Sequence, residues 1–175
     1  MIAPLVAALG LWLAPGQDAA TTRPAPVAIA DPTRADTLLA AFDPLIGKTW
    51  RGASITAENV VDEVRFERTA GDKAIWSTHS AAGGAYTGDT LIVFDRDTGG
   101  LVSFYATSGG FYTTGTVKVL GPGRFEFEQQ VHGLDGIEAV RAQTTFEDNV
   151  YRIRSQHLIN GAWVETGGFD YRPID

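Results

Sequence analysis

The 175-residue sequence contains no cysteine, one methionine and three histidines, and its 14 Lys and Arg are outnumbered by 21 Asp and Glu. Without cysteine there is no disulfide, no thiolate nucleophile, no Cys-ligated zinc and no lipid-anchor cysteine. A net charge of −7 at pH 7 argues against a nucleic-acid backbone or an anionic membrane surface as partner, since both demand clustered cations. The histidines stand at 79, 132 and 157, so none are two or four residues apart, and HExxH is absent; a metal site has little support. GxSxG and SxxK are missing too, which leaves no recognisable nucleophile. What is present is ordinary globular composition, 44% hydrophobic and 20% charged, at a length that suits one domain.

Ile2 to Ala14 is a continuous apolar run closed by Pro15-Gly16. It is short for a membrane span and has the length of a secretory h-region. An Ala/Thr/Pro-rich stretch follows it, with small residues again at Ala28-Ile29-Ala30. Residues 1–30 are therefore expected to be a signal peptide and linker, and 31–175 a single domain, exported to the periplasm or secreted. Removing 1–30 takes away Asp18 and Arg23 together and leaves the charge unchanged.

Asp31-Pro32 offers an N-cap followed by a first-turn proline. Leu38, Leu39, Phe42, Leu45 and Ile46 then form one apolar stripe at helical spacing, closed by Pro44 and Gly47. Beyond Gly47 the period changes to two. Turn signals separate runs rich in Val, Thr and aromatics, giving about ten strands near 48–55, 59–69, 73–81, 85–95, 100–107, 111–120, 124–132, 137–147, 150–159 and 162–172. The connections are too short for parallel crossovers. An all-β, antiparallel up-and-down barrel capped by one short helix is expected, because closure removes exposed edges. A Greek-key sandwich is the alternative.

Asn160-Gly161 is a strong hairpin signal. Taken as a two-residue loop, it sets Ile159 opposite Ala162 and His157 opposite Val164, and places Tyr151, Ile153, Asp170 and Arg172 on the same, inward face. A two-residue loop at Gly109-Gly110 places Val102, Phe104, Thr113, Val117 and Val119 on one face and Ser103, Tyr105 and Tyr112 on the other. Phe125, Phe127, Gln129 and Val131 alternate with charged residues and are expected inward, as are Val140, Ala142, Thr144 and Phe146. A barrel of this strand number is wider than its own side chains fill, so a ligand-sized cavity is expected; a flattened barrel holding only water is the plainer outcome.

The phrase Leu45-Ile46-Gly47-Lys48-Thr49-Trp50-Arg51-Gly52, a helix end, a glycine and a tryptophan opening the first strand, resembles the start of calycin barrels such as lipocalins, fatty-acid-binding proteins and nitrobindins. With Gly161 to Trp163 and Tyr171-Arg172 near the end, the chain is most similar to an uncharacterised bacterial family of exported lipocalin-like proteins. The resemblance implies that Trp50 is covered by Arg172 at the barrel base.

The leading expectation is a binding protein for a small hydrophobic molecule, with no chemistry and no cofactor. Phe104, Val117, Phe127, Val140 and Ile153 would line its cavity, and Gln129, Tyr151 and His157 would orient a polar end. Haem held by His157, as in a nitrobindin-like protein, or a barrel enzyme built on His157, is a second possibility. A structural or interaction module, with a possible homodimer through outer aromatics such as Tyr105 and Tyr112, is the third. His79 has ambiguous parity, and His132 is expected in solvent. Asp170 and Glu138 are carboxylates at the two mouths, and an ion pair with Arg172 accounts simply for Asp170.

Overall fold

The computed structural model describes residues 32–174. The leader and the Asp31 N-cap lie outside them. A helix, α1 (Pro32–Ala40), precedes ten strands: β1 (Thr49–Ser54), β2 (Val61–Thr69), β3 (Ala74–Ala81), β4 (Tyr86–Asp95), β5 (Gly100–Thr107), β6 (Tyr112–Gly121), β7 (Arg124–His132), β8 (Ala139–Glu147), β9 (Val150–Ile159) and β10 (Ala162–Pro173). Each strand pairs antiparallel with its sequence neighbours, and β1 pairs with β10, so the sheet closes into a barrel without free edges. No described helix is long and apolar enough to cross a membrane.

The helix plugs one end. Its stripe, continued through the turn after Ala40, buries Leu39, Phe42 and Leu45 completely. Phe42 stacks on Phe125 with centroids 4.0 Å apart, and the Gly123 amide donates to the Ala41 carbonyl at 2.7 Å. Polar contacts hold the rim: Arg68 to Asp43 at 2.6 Å and Lys73 to Asp36 at 2.7 Å. Trp50 is wholly buried in this base. Its indole donates to the Leu45 carbonyl at 3.0 Å, and Phe146 and Tyr151 meet it edge-on.

Two register shifts correct the expected faces. A two-residue loop at Gly109-Gly110 would pair Ser108 with Phe111. Instead the loop holds three residues, with Gly110 at φ +82, and Tyr105 pairs with Thr113. A slip of one residue exchanges the two faces of a strand. Thr113 and Val117 keep their inward place, but β5 reverses: Phe104 is on the outer wall, 46% exposed, while Leu101 and Ser103 are buried inside. Val117 itself is packed into the base core and does not line a cavity.

The second shift lies in β10. The Asn160-Gly161 pairing runs as expected through Gln156↔Glu165, then a β-bulge intervenes and Gly167 pairs with Ser155. Gly167, at φ +107, takes the backbone where a side chain is strained. Beyond the bulge Phe169 and Tyr171 turn inward and Asp170 and Arg172 outward. Asp170 pairs there with Arg154 at 2.6 Å. Arg172 is exposed and lies beside Arg51 in the ladder, so it does not cover Trp50; the nearby cation is Lys48, 5.4 Å from the indole centroid.

Because Trp50 belongs to the base and not to the hollow above it, Trp50→Ala is expected to lower stability by about 3–5 kcal/mol while leaving ligand uptake intact. Chemical denaturation and a binding titration read the two separately. Lost uptake with an unchanged midpoint would contradict this division.

Candidate functional site: a half-hollow barrel with a buried hydrogen-bonded chain

Above the plug the barrel is hollow. A cavity of about 340 Å³ is walled by Phe66, Ile92, Phe127, Tyr151, Ile153 and Phe169, with Gln129, Ala142, Thr144 and Ser155 among the rest of its lining. A second cavity of about 380 Å³, towards the end opposite the helix, is lined by Phe111, Thr113, Val131, Leu134, Val140 and His157. The two share Tyr86, Tyr105, Gln129, Ser155 and Phe169 as a common wall. Of the expected lining residues, Phe127, Gln129, Tyr151 and Ile153 face the first cavity, Val140 and His157 face only the second, and Phe104 faces neither.

The polar centre of the lumen is a chain of side chains from five strands. Asp62 on β2 is 3% exposed. Its carboxylate accepts from the Tyr171 hydroxyl at 2.7 Å and lies 3.0 Å from His79 Nδ1. His79 Nε2 is 2.7 Å from the Tyr105 hydroxyl, which is 3.0 Å from that of Tyr86. An ionised carboxylate can only accept, so Nδ1 carries the proton that faces Asp62. In the neutral imidazole Nε2 then accepts from Tyr105, whose oxygen accepts from Tyr86. The tautomer is thus assigned from the network.

Strand geometry explains the convergence. His79, Asp62 and Tyr105 each share the inward face of their strand with a residue two positions away, Ser77, Val64 and Ser103. Gly88 on β4 lies between them and is paired with His79. A Cβ there would come 2.3 Å from the Tyr105 ring and 2.7 Å from His79 Nε2, so the histidine–tyrosine contact needs a residue without a side chain. Gly52 makes the same room for the Tyr171 ring, 2.6 Å from where its Cβ would be.

Electrostatics keep these phenols protonated. Burial pushes up the pKa of Tyr171, and the Asp62 charge and its hydrogen bond add to the effect. Burial also raises Tyr105, helped by Tyr86, and raises Tyr151. None is a tyrosinate near neutral pH. Asp62 is the one Asp, Glu, Lys or Arg among the described residues that line either cavity. Among the described residues, no three His, Asp or Glu side chains converge as metal ligands.

Elsewhere the expected candidates are spread apart. His157 stands in the second cavity, and burial lowers its pKa. Glu138 accepts from the Gly161 amide at 3.1 Å outside the lumen. His132 is on the outer wall, stacked on Tyr112 at 4.6 Å. Buried Thr113 is 1% exposed, and its hydroxyl has no hydrogen-bond partner in the protein where it borders the second cavity. Gln129 donates to the Ser103 hydroxyl at 2.9 Å, an inward pair that spans β5 and β7.

The comparisons with known proteins add no family: no protein-family model matches the chain, and no curated protein matches it.

Tyr171→Phe removes one of two donors to a buried carboxylate and is expected to cost about 1–3 kcal/mol of stability; an unchanged denaturation midpoint would remove the case for a charged Asp62. For His157 the folded pKa lies below the unfolded value of ~6.5. The unfolded chain therefore binds more protons as the pH falls through that value, and the stability associated with a neutral His157, present above it, is lost on acidification. An NMR titration should place His157 below ~6.5, and His157→Gln should flatten the acid limb of the stability profile.

Proposed function

We propose that this barrel binds a small, largely apolar molecule in its lumen. The observation that carries the reading is the cavity of about 340 Å³ with aromatic and aliphatic walls and a few convergent polar groups, the form that small-molecule sites take. The orphaned Thr113 hydroxyl supports it, since a buried polar group without a partner is costly unless a guest or water satisfies it. Likeness to exported lipocalin-like proteins is part of the same proposal. It rests on the phrase around Trp50 and on a barrel of the expected order, and export to the periplasm or beyond rests on the Ile2–Ala14 run.

Haem on His157 does not fit this lining. The imidazole opens on the second cavity, and among the described residues no Lys or Arg lines either cavity to meet the carboxylates of the macrocycle. An enzyme built on His157 loses ground for a related reason, because the histidine with a carboxylate partner is His79. The interaction-module reading has one observation behind it. Phe104, Tyr112 and His132 stack in series across the outer wall, and Phe104 and Tyr112 are 46% and 42% exposed. A mass that rises with concentration in sedimentation, and falls back in Phe104→Ser, would favour it.

The lumen reading is tested with N-phenyl-1-naphthylamine, an uncharged dye that brightens in apolar surroundings. Ile153→Trp, which fills the cavity, is expected to abolish the fluorescence gain, and Phe104→Ala, outside the barrel, to leave it unchanged. Equal brightening by wild type and Ile153→Trp would sink the proposal.

A further inference from the structure

The buried chain has a direction, and the direction restricts what can sit against it. Every hydrogen in it is already committed. Tyr171 donates to Asp62, His79 Nδ1–H to the same carboxylate, Tyr105 to His79 Nε2, and Tyr86 to Tyr105. The polarity is imposed by the acceptor-only carboxylate at its end, which orders every donor behind it. What this chain leaves for a guest is the unused lone pairs of the Tyr86 and Tyr105 oxygens, and both residues border the two cavities, whereas the unpartnered Thr113 hydroxyl borders only the second. These atoms can take a proton-bearing group and offer nothing to a bare acceptor.

Charge points the same way. Asp62 is the one formally charged side chain among the described cavity-lining residues when His79 is neutral, and the whole chain carries −7. An anionic guest would lose its hydration and meet a buried like charge with no cation to offset it. Aromatic walls, by contrast, accept an uncharged ring.

Building on the lumen-binding reading, we propose that the site selects guests whose polar end is a hydrogen-bond donor, such as an uncharged phenol or alcohol on an apolar body, and that it rejects carboxylates. Tyr86 is the recognition residue, and Asp62, acting through His79 and Tyr105, is the positioning residue that turns the Tyr86 lone pairs towards the guest. Fatty-acid-like anions are excluded by the same arrangement.

Three probes of one shape separate the terms: 2-naphthol, which donates; 2-methoxynaphthalene, which cannot; and 2-naphthoate, which is charged. Titrations near pH 7, where 2-naphthol is not ionised, are followed by calorimetry. The expected order is naphthol over methoxynaphthalene by about fivefold or more, the size of one net neutral hydrogen bond, and over naphthoate by about tenfold or more, since the anion also loses its hydration beside a like charge. Tyr86→Phe should narrow the gap between naphthol and methoxynaphthalene, leaving methoxynaphthalene where it was, and Tyr86→Phe combined with Tyr105→Phe should close it. Asp62→Asn, which keeps the shape and removes the charge, should narrow the gap to naphthoate. Equal binding of the three probes, or tightest binding of naphthoate, overturns this proposal while leaving lumen binding intact. If N-phenyl-1-naphthylamine and all three probes fail to bind, the lumen reading itself falls and this one with it.

Discussion

A carboxylate buried inside a protein has to be answered, and in this barrel the answer organises the upper lumen. Asp62 is nearly sealed from solvent, and an uncompensated charge in that position would be prohibitive. Two donors meet it, Tyr171 from β10 and His79 from β3, so the carboxylate ties both neighbours of the β1–β2 hairpin to one point. Because Tyr171 lies far from Asp62 in sequence, that hydrogen bond reinforces closure of the barrel. The orientation of the imidazole follows from the carboxylate, and that of Tyr105 and Tyr86 follows from the imidazole. One acidic residue thereby sets the donor pattern of four others.

The same barrel separates stability from binding along its axis. At the helical end, Phe42, Trp50 and Phe125 are fully buried within one continuous hydrophobic cluster. Hydrophobic burial and aromatic packing hold the strands together there. At the other end the bore is wide because ten strands enclose more volume than their inward side chains occupy. Glycines at 52 and 88 enlarge the room further, for rings and not for a guest. A polar network is tolerable in a hollow upper half because each of its groups is answered by another, and a solid base carries the folding energy.

The strand count, the antiparallel order, the closing helix and the inward faces of β7 and β8 were legible from spacing alone, since Phe125, Phe127 and Val131 alternate with Arg124, Glu126 and Glu128, and Val140, Ala142 and Phe146 with Arg141, Gln143 and Glu147. The polar site was not, and two local events explain why. The loop at Ser108-Gly109-Gly110 has one residue more than the shortest reading of its glycines, which exchanged Phe104 for Tyr105. The bulge at Gly167 exchanged Asp170 and Arg172 for Phe169 and Tyr171. At the bulge the expected pairing holds up to Glu165 and is off by one residue beyond it, and at the hairpin it is off by one throughout; a period of two converts either into a reversal of faces. Consecutive glycines inside a run of strand length are the available signal, since they mark bulges and longer hairpins as readily as turns. Gly88 carried a further signal: a mid-strand glycine between polar neighbours marks a close approach, here of His79 and Tyr105.

These reversals changed the chemistry more than the architecture. With Phe104 inside, the lumen would be a greasy tube oriented by His157, and any amphiphile of the right length would suit it. With Tyr105 inside, the same ladder joins a histidine to a buried acid and gives the cavity a preferred sense of hydrogen bonding. The apolar walls then supply affinity without discrimination, because contact with an aromatic surface scarcely distinguishes one flat hydrocarbon from another. Discrimination falls to the polar end, where a mismatched acceptor or anion leaves buried groups unanswered and the penalty is large. A single residue of hairpin register is therefore what separates a permissive container from a selective one.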